Sequence, residues 1–168
     1  LLFFIFFSAY HFGEQHWENY LPKNINRALK FILEFSYGFL ILNLLFFLKS
    51  DFTSEIINDI SSYKVTSNLF LGLVIASFII YLSLNIFLLI QKMLKIKRFF
   101  LEIVLLAFFG VIFYFTPLLL GFAIYFTFWH SLPSLKDQID FIYNSDLKVG
   151  IIKYIKDAGW YWLASVIG

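Results

Sequence analysis

Apolar residues run through this chain in blocks long enough to cross a lipid bilayer, separated by short polar and charged stretches. A hydrocarbon core of about 30 Å takes roughly 20 helical residues. The block 31–48 is interrupted only by Glu34, Ser36, Gly38 and Asn43, and 69–90 is long enough to cross with some tilt. The block 99–115 ends at Thr116-Pro117, and another follows over 118–132. Proline lacks an N–H and biases the residue before it away from helix, so a hairpin-like return is predicted there. Residues 1–12 are apolar but rise only about 18 Å as a helix, so they read as part of a span. Residues 134–147 are mixed. The segment from 149 opens with lysines and turns into Trp160-Tyr161-Trp162, an interfacial aromatic cluster opening a partial span over about 158–168. The pattern predicts an all-α, polytopic transmembrane helix bundle, with residues 1–168 forming one integral membrane domain.

Composition supports the bilayer. The chain is 61% hydrophobic and 14% charged, with a mean hydropathy of +0.81. A soluble domain is about half apolar and about a quarter charged, so this excess has no aqueous surface to occupy. The net charge of +2 is small and gives no reason to expect nucleic-acid binding, which needs a clustered basic face. Cysteine is absent, which removes disulfides, thiolate metal sites and a cysteine nucleophile. Residues 1–12 carry neither a basic leader nor a small-residue cleavage site, and the chain reads as an internal fragment, truncated at both ends, of a longer multi-pass protein of the cell (inner) membrane. The 24 Phe residues read mostly as lipid-facing bulk.

Lysine and arginine in short loops orient the spans. The stretch 92–98 carries Lys92, Lys95, Lys97 and Arg98 with no acid, which makes it cytoplasmic. Counting from there, 13–30 and the stretch from Pro133 are also inside, whereas 49–68 and Thr116-Pro117 lie outside. His11 and His130 then end their segments at the same face, and Glu34 and Glu102 enter their helices from it. Glutamates near helix ends commonly snorkel to water. Imidazoles at the ends of apolar segments point instead to a metal or a proton.

Local spacing refines these candidates. On a helix His11 and Glu14 share a face, so Glu14 can orient the imidazole through its second nitrogen. His16, five residues on and beside Trp17, reads as an interfacial histidine at headgroup level. Ser134 shares a face with His130 if the helix survives Pro133, although the proline suits the first turn of a new helix. No Gly-x-Ser-x-Gly elbow and no His-Glu-x-x-His pair occurs, and three histidines are too few for a dinuclear centre.

Two blocks carry a family likeness: Ser8-Ala9-Tyr10-His11-Phe12-Gly13-Glu14-Gln15-His16-Trp17, and Gly121 to Ser134 with Phe128-Trp129-His130-Ser131. There the chain resembles the bacterial and archaeal Brp/Blh-type β-carotene 15,15′-dioxygenases, and the stretch 154–168 looks like that family's next helix. The resemblance implies a polytopic enzyme that cleaves the central double bond of β-carotene with O2, giving two retinals, with histidine-bound Fe(II). It implies His11 and His130 as iron ligands and no catalytic side chain beyond the ligands. Glu14, Glu34 and Glu102 are the candidates to hold the imidazoles from behind. An opsin is the expected consumer of the retinal.

Two departures stand out. The family's His-Gly-x-x-Asp block is not present in residues 1–168, and Ser134 stands where many members carry a second histidine. Serine is a poor iron ligand, so the fragment alone is expected to be inactive. The alternative reading is a non-enzymatic transporter, or a protein that binds carotenoid or lipid, with the histidines as proton carriers or ligand contacts.

Overall fold

A computed structural model describes residues 2–167. Its elements are α1 (Leu2–Trp17), α2 (Arg27–Leu48), α3 (Ser50–Ser61), α4 (Ser67–Ile90), α5 (Ile96–Phe115), α6 (Leu118–Ile124), a π-helical segment (Tyr125–Ser131), α7 (Leu132–Tyr143) and α8 (Leu147–Ile167). No strand occurs among the described residues. The helices group into two compact units, one ending at Tyr125 and the other beginning at Phe126. Four helical runs are long and apolar enough to cross a membrane: α2, α4, α5 and the continuous run Leu118–Tyr143.

In the first unit α2 is the central helix. Of its apolar window 56% is buried within the protein, against 22% for α4 and for α5. Leu33, Tyr37, Leu40, Ile41 and Leu45 carry that burial. Asn26 caps its start, its side chain accepting from the Ala28 and Leu29 amides at 2.9 and 3.3 Å, which satisfies two of the amides a helix start leaves open. By contrast α4 and α5 keep large apolar side chains such as Ile79, Ile80, Phe108 and Val111 exposed, as lipid-facing surfaces do.

α1 lies antiparallel on α2 at backbone distance. A Cβ on Gly13 would overlap the Glu34 carbonyl, and one on Gly38 would overlap the Ala9 carbonyl. Ala9 and Gly13 on α1 thus meet the Glu34 backbone and Gly38 on α2 in a reciprocal seam, the way small residues let apolar helices approach closely in lipid. α5 runs parallel to α2, and at their far ends the Lys49 ammonium donates to the Tyr114 carbonyl at 2.9 Å.

The stretch 49–68, expected as a plain outside loop, contains α3. Its sequence alternates Phe52, Ile56, Ile57 and Ile60 with Asp51, Glu55, Asn58 and Asp59, an amphipathic pattern too short and too charged to register as a span. The return at Thr116-Pro117 is present. Both residues leave helical geometry, with ψ of 151° and 156°.

In the second unit the helix does not stop at 132. Pro133 occupies the first turn of α7, where its missing N–H is tolerated, and the preceding residues, Tyr125–Ser131, adopt the wider π-helical winding. That winding makes room for the ring without ending the helix. α7 closes on Asn144 in the left-handed region, φ 40°. It then packs against α8, where a Cβ on Gly150 would lie 2.6 Å from Ile139 Cγ2. Tyr143 adds a 2.8 Å hydrogen bond to Asp157.

Candidate functional site

In the first unit the residues that pack α1 inward are Ala9, Phe12, Gly13, His16 and Trp17. These recur at helical spacing, so His11 falls on the other side of the helix and is exposed. Glu14, one turn on, is half-buried and accepts a 3.0 Å hydrogen bond from the Tyr10 hydroxyl. Glu34 is 1% exposed and pairs with Lys30 at 3.5 Å. Its carbonyl is the one against Gly13, so a buried carboxylate sits beside the seam.

Glu102, the third glutamate singled out from sequence, organises the densest polar cluster. It is 1% exposed. Its Oε2 accepts from the Tyr81 hydroxyl at 2.6 Å and lies 2.9 Å from His16 Nε2. Its Oε1 lies 2.6 Å from Arg98 Nη2, an i, i+4 ion pair on α5. Tyr37 of α2 stacks face to face on the His16 ring at 3.8 Å and 9°. The Arg98 guanidinium in turn lies 3.5 Å from the Tyr20 ring centre and 5.4 Å from that of Trp17. Four helices, α1, α2, α4 and α5, each contribute a group.

The chemistry of this cluster turns on one nitrogen. Arg98 Nη2 lies 3.1 Å from the same His16 Nε2 that faces Glu102. A guanidinium only donates. With a proton on Nε2 the ring donates to Glu102, and with a lone pair there it accepts from Arg98. Either state holds the imidazole in the same place. His16 is therefore buried and engaged within the protein, at 8% exposure. The signal in the sequence was indirect: tyrosines 37 and 81, within apolar blocks, and a glutamate in α5 with nothing nearby in sequence but Arg98.

In the second unit His130 belongs to the π-helical segment, is 7% exposed, and leans on Phe126 with ring centres 5.3 Å apart. It lines an open groove of about 390 Å³ together with Ser131, Ser134, Gln138 and Trp162. Because the helix runs on through Pro133, His130 and Ser134 do face the same space. Gln138 Nε2 donates to Ser134 Oγ at 3.4 Å. The mixed lining, which also includes apolar Phe126, Leu132 and Leu135, suits an apolar molecule with few polar contacts.

His11 thus stands in the first compact unit and His130 in the second. Among the described residues no three His, Asp or Glu side chains gather into a group able to hold a metal ion. An iron site of the open, histidine-rich kind needs at least three protein donors, so the donors present do not by themselves fit a complete iron centre.

The sequence model of one family, described as beta-carotene 15,15'-dioxygenase, matches residues 1–168. No curated protein and no solved structure matches the chain.

Proposed function

The chain belongs to the beta-carotene 15,15'-dioxygenase family, and from that membership we propose that it serves central cleavage of β-carotene by O2. The match over the whole of residues 1–168 is the observation that carries this reading. In the reaction the central carbon–carbon double bond breaks and each of its two carbons takes one oxygen atom. Two retinals result and no other reductant or oxidant is needed. Retinal is then available to an opsin.

The physical setting supports a hydrocarbon substrate. A polyene partitions into acyl chains, and four helical runs of this chain are apolar enough to share that environment. The groove at His130 offers apolar walls with a short polar edge. Bound iron would supply the activation of O2. His11 and His130 are two of its proposed ligands, with the remaining donors supplied from beyond the described residues. The cell membrane is the proposed location.

A second reading, a membrane protein that binds carotenoid or lipid without converting it, is favoured by one observation, the lack of a three-donor group among the described residues. Expression in a bacterium that accumulates β-carotene separates the two. Loss of orange colour with retinal formed supports cleavage. Colour retained, with carotenoid co-purifying and no retinal, supports the binding reading and overturns the enzymatic one.

A further inference from the structure

We infer that His16 is a positioning residue for His11, fixing the rotation of α1 about its own axis. The argument begins with spacing. Five residues on an α-helix turn through about 140°, so whatever holds His16 against the core points His11 away from it. The burial pattern agrees, with His16 at 8% exposure and His11 exposed.

The hold on His16 comes from three directions. Glu102 Oε2 at 2.9 Å and Arg98 Nη2 at 3.1 Å fix the ring edge, and Tyr37 fixes the ring face at 3.8 Å. Rotation by one residue, about 100°, would break all three contacts at once. The Gly13 and Gly38 seam adds a coarser constraint of its own. The seam disfavours turning, because any residue other than a small one brought to the contact would overlap the Glu34 backbone, but it does so only by steric exclusion. The seam sets the distance of α1 and limits its turning, and the directed contacts of His16 fix the azimuth within that limit. That the presented imidazole serves iron rests on the function proposed above, whereas the rotation can be measured without metal or substrate.

The chain contains no cysteine, so His11→Cys provides a unique attachment point for a nitroxide spin label. Ile79→Cys on the exposed face of α4 serves as the control position. Each is read in the 168-residue chain in lipid vesicles, with His16 intact and as His16→Ala, His16→Gln and Glu102→Gln. The expected result is a shift in label mobility and in collision with lipid-dissolved oxygen at position 11 for His16→Ala. A smaller shift is expected for Glu102→Gln, and return to the parent signal for His16→Gln, whose amide can still donate to Glu102. Position 79 should not change. An unchanged signal at position 11 in both His16→Ala and Glu102→Gln overturns the inference, as does an equal change at positions 11 and 79. If His16→Ala does not fold, Glu102→Gln against His16→Gln decides by the same criteria.

Discussion

Glu102 Oε2 lies 2.9 Å from His16 Nε2 across the space between α5 and α1, with Arg98 held by the same carboxylate. Both side chains are nearly closed to solvent. A buried ionic contact of this kind is a weak source of net stability, because desolvation offsets most of the Coulomb gain. Its removal from one side is another matter.

Glu102→Ala leaves Arg98 and His16 in the interior without their shared acceptor. Loss of about 3–5 kcal/mol is expected, read as a fall in the thermal unfolding temperature of the detergent-solubilised chain. Glu102→Gln, which retains an acceptor oxygen for Tyr81, should cost clearly less. Equal losses for the two would mean that the negative charge alone carries the effect, with side-chain volume and the Tyr81 contact adding nothing.

Gly13→Ala tests the seam. The new methyl would occupy the place of the Glu34 carbonyl, backbone that cannot rotate aside, so α1 must lift from α2. Overpacking of this sort costs about 1–3 kcal/mol or more. Gly159→Ala meets no atom nearby and serves as the control, with an expected change near zero. The comparison is made by chemical or thermal unfolding of both variants in the same detergent.

The seam and the spans differ in how visible they are in sequence. Long apolar blocks announce themselves, so the helices containing 31–48, 69–90 and 99–115 and the break at Thr116-Pro117 were legible from composition and one proline. The engagement of His16 was not. Its neighbours Trp17, Glu18 and Asn19 read as interface, and its partner Glu102 is 86 residues away; nothing local encodes that pairing. The π-helical winding before Pro133 was hidden for a related reason. Proline signals an interruption, but whether the chain breaks or widens depends on what the rest of the turn can pack against. His11 was found as a candidate by its context, and its outward direction became visible only once the inward residues of α1 were known.

Ser134 provides a gain-of-function test. It shares the groove with His130, one turn further along an unbroken helix, and side chains four apart on a helix can grip one ion. Ser134→His should therefore raise retention of a divalent metal, measured by elemental analysis after purification in added Co(II), while Ser134→Ala should not. Retention that does not rise would show that the π-helical winding turns His130 out of reach of position 134.

His11→Ala and His130→Ala bear on the proposed iron most directly. If both imidazoles are ligands, each substitution in the complete enzyme should cost one donor, with iron content and retinal formation falling together. The two failures differ in meaning because the residues differ in setting. His130 is buried against Phe126, so its loss also opens a cavity, and His130→Gln is needed to separate packing from ligation. His11 is more exposed than His130, so His11→Ala should lower the unfolding temperature less than His130→Ala does while iron is lost. A chain that keeps its full iron content after His11→Ala removes that residue from the metal and leaves α1 a structural helix. Retinal formation that persists without either imidazole would move the whole site elsewhere.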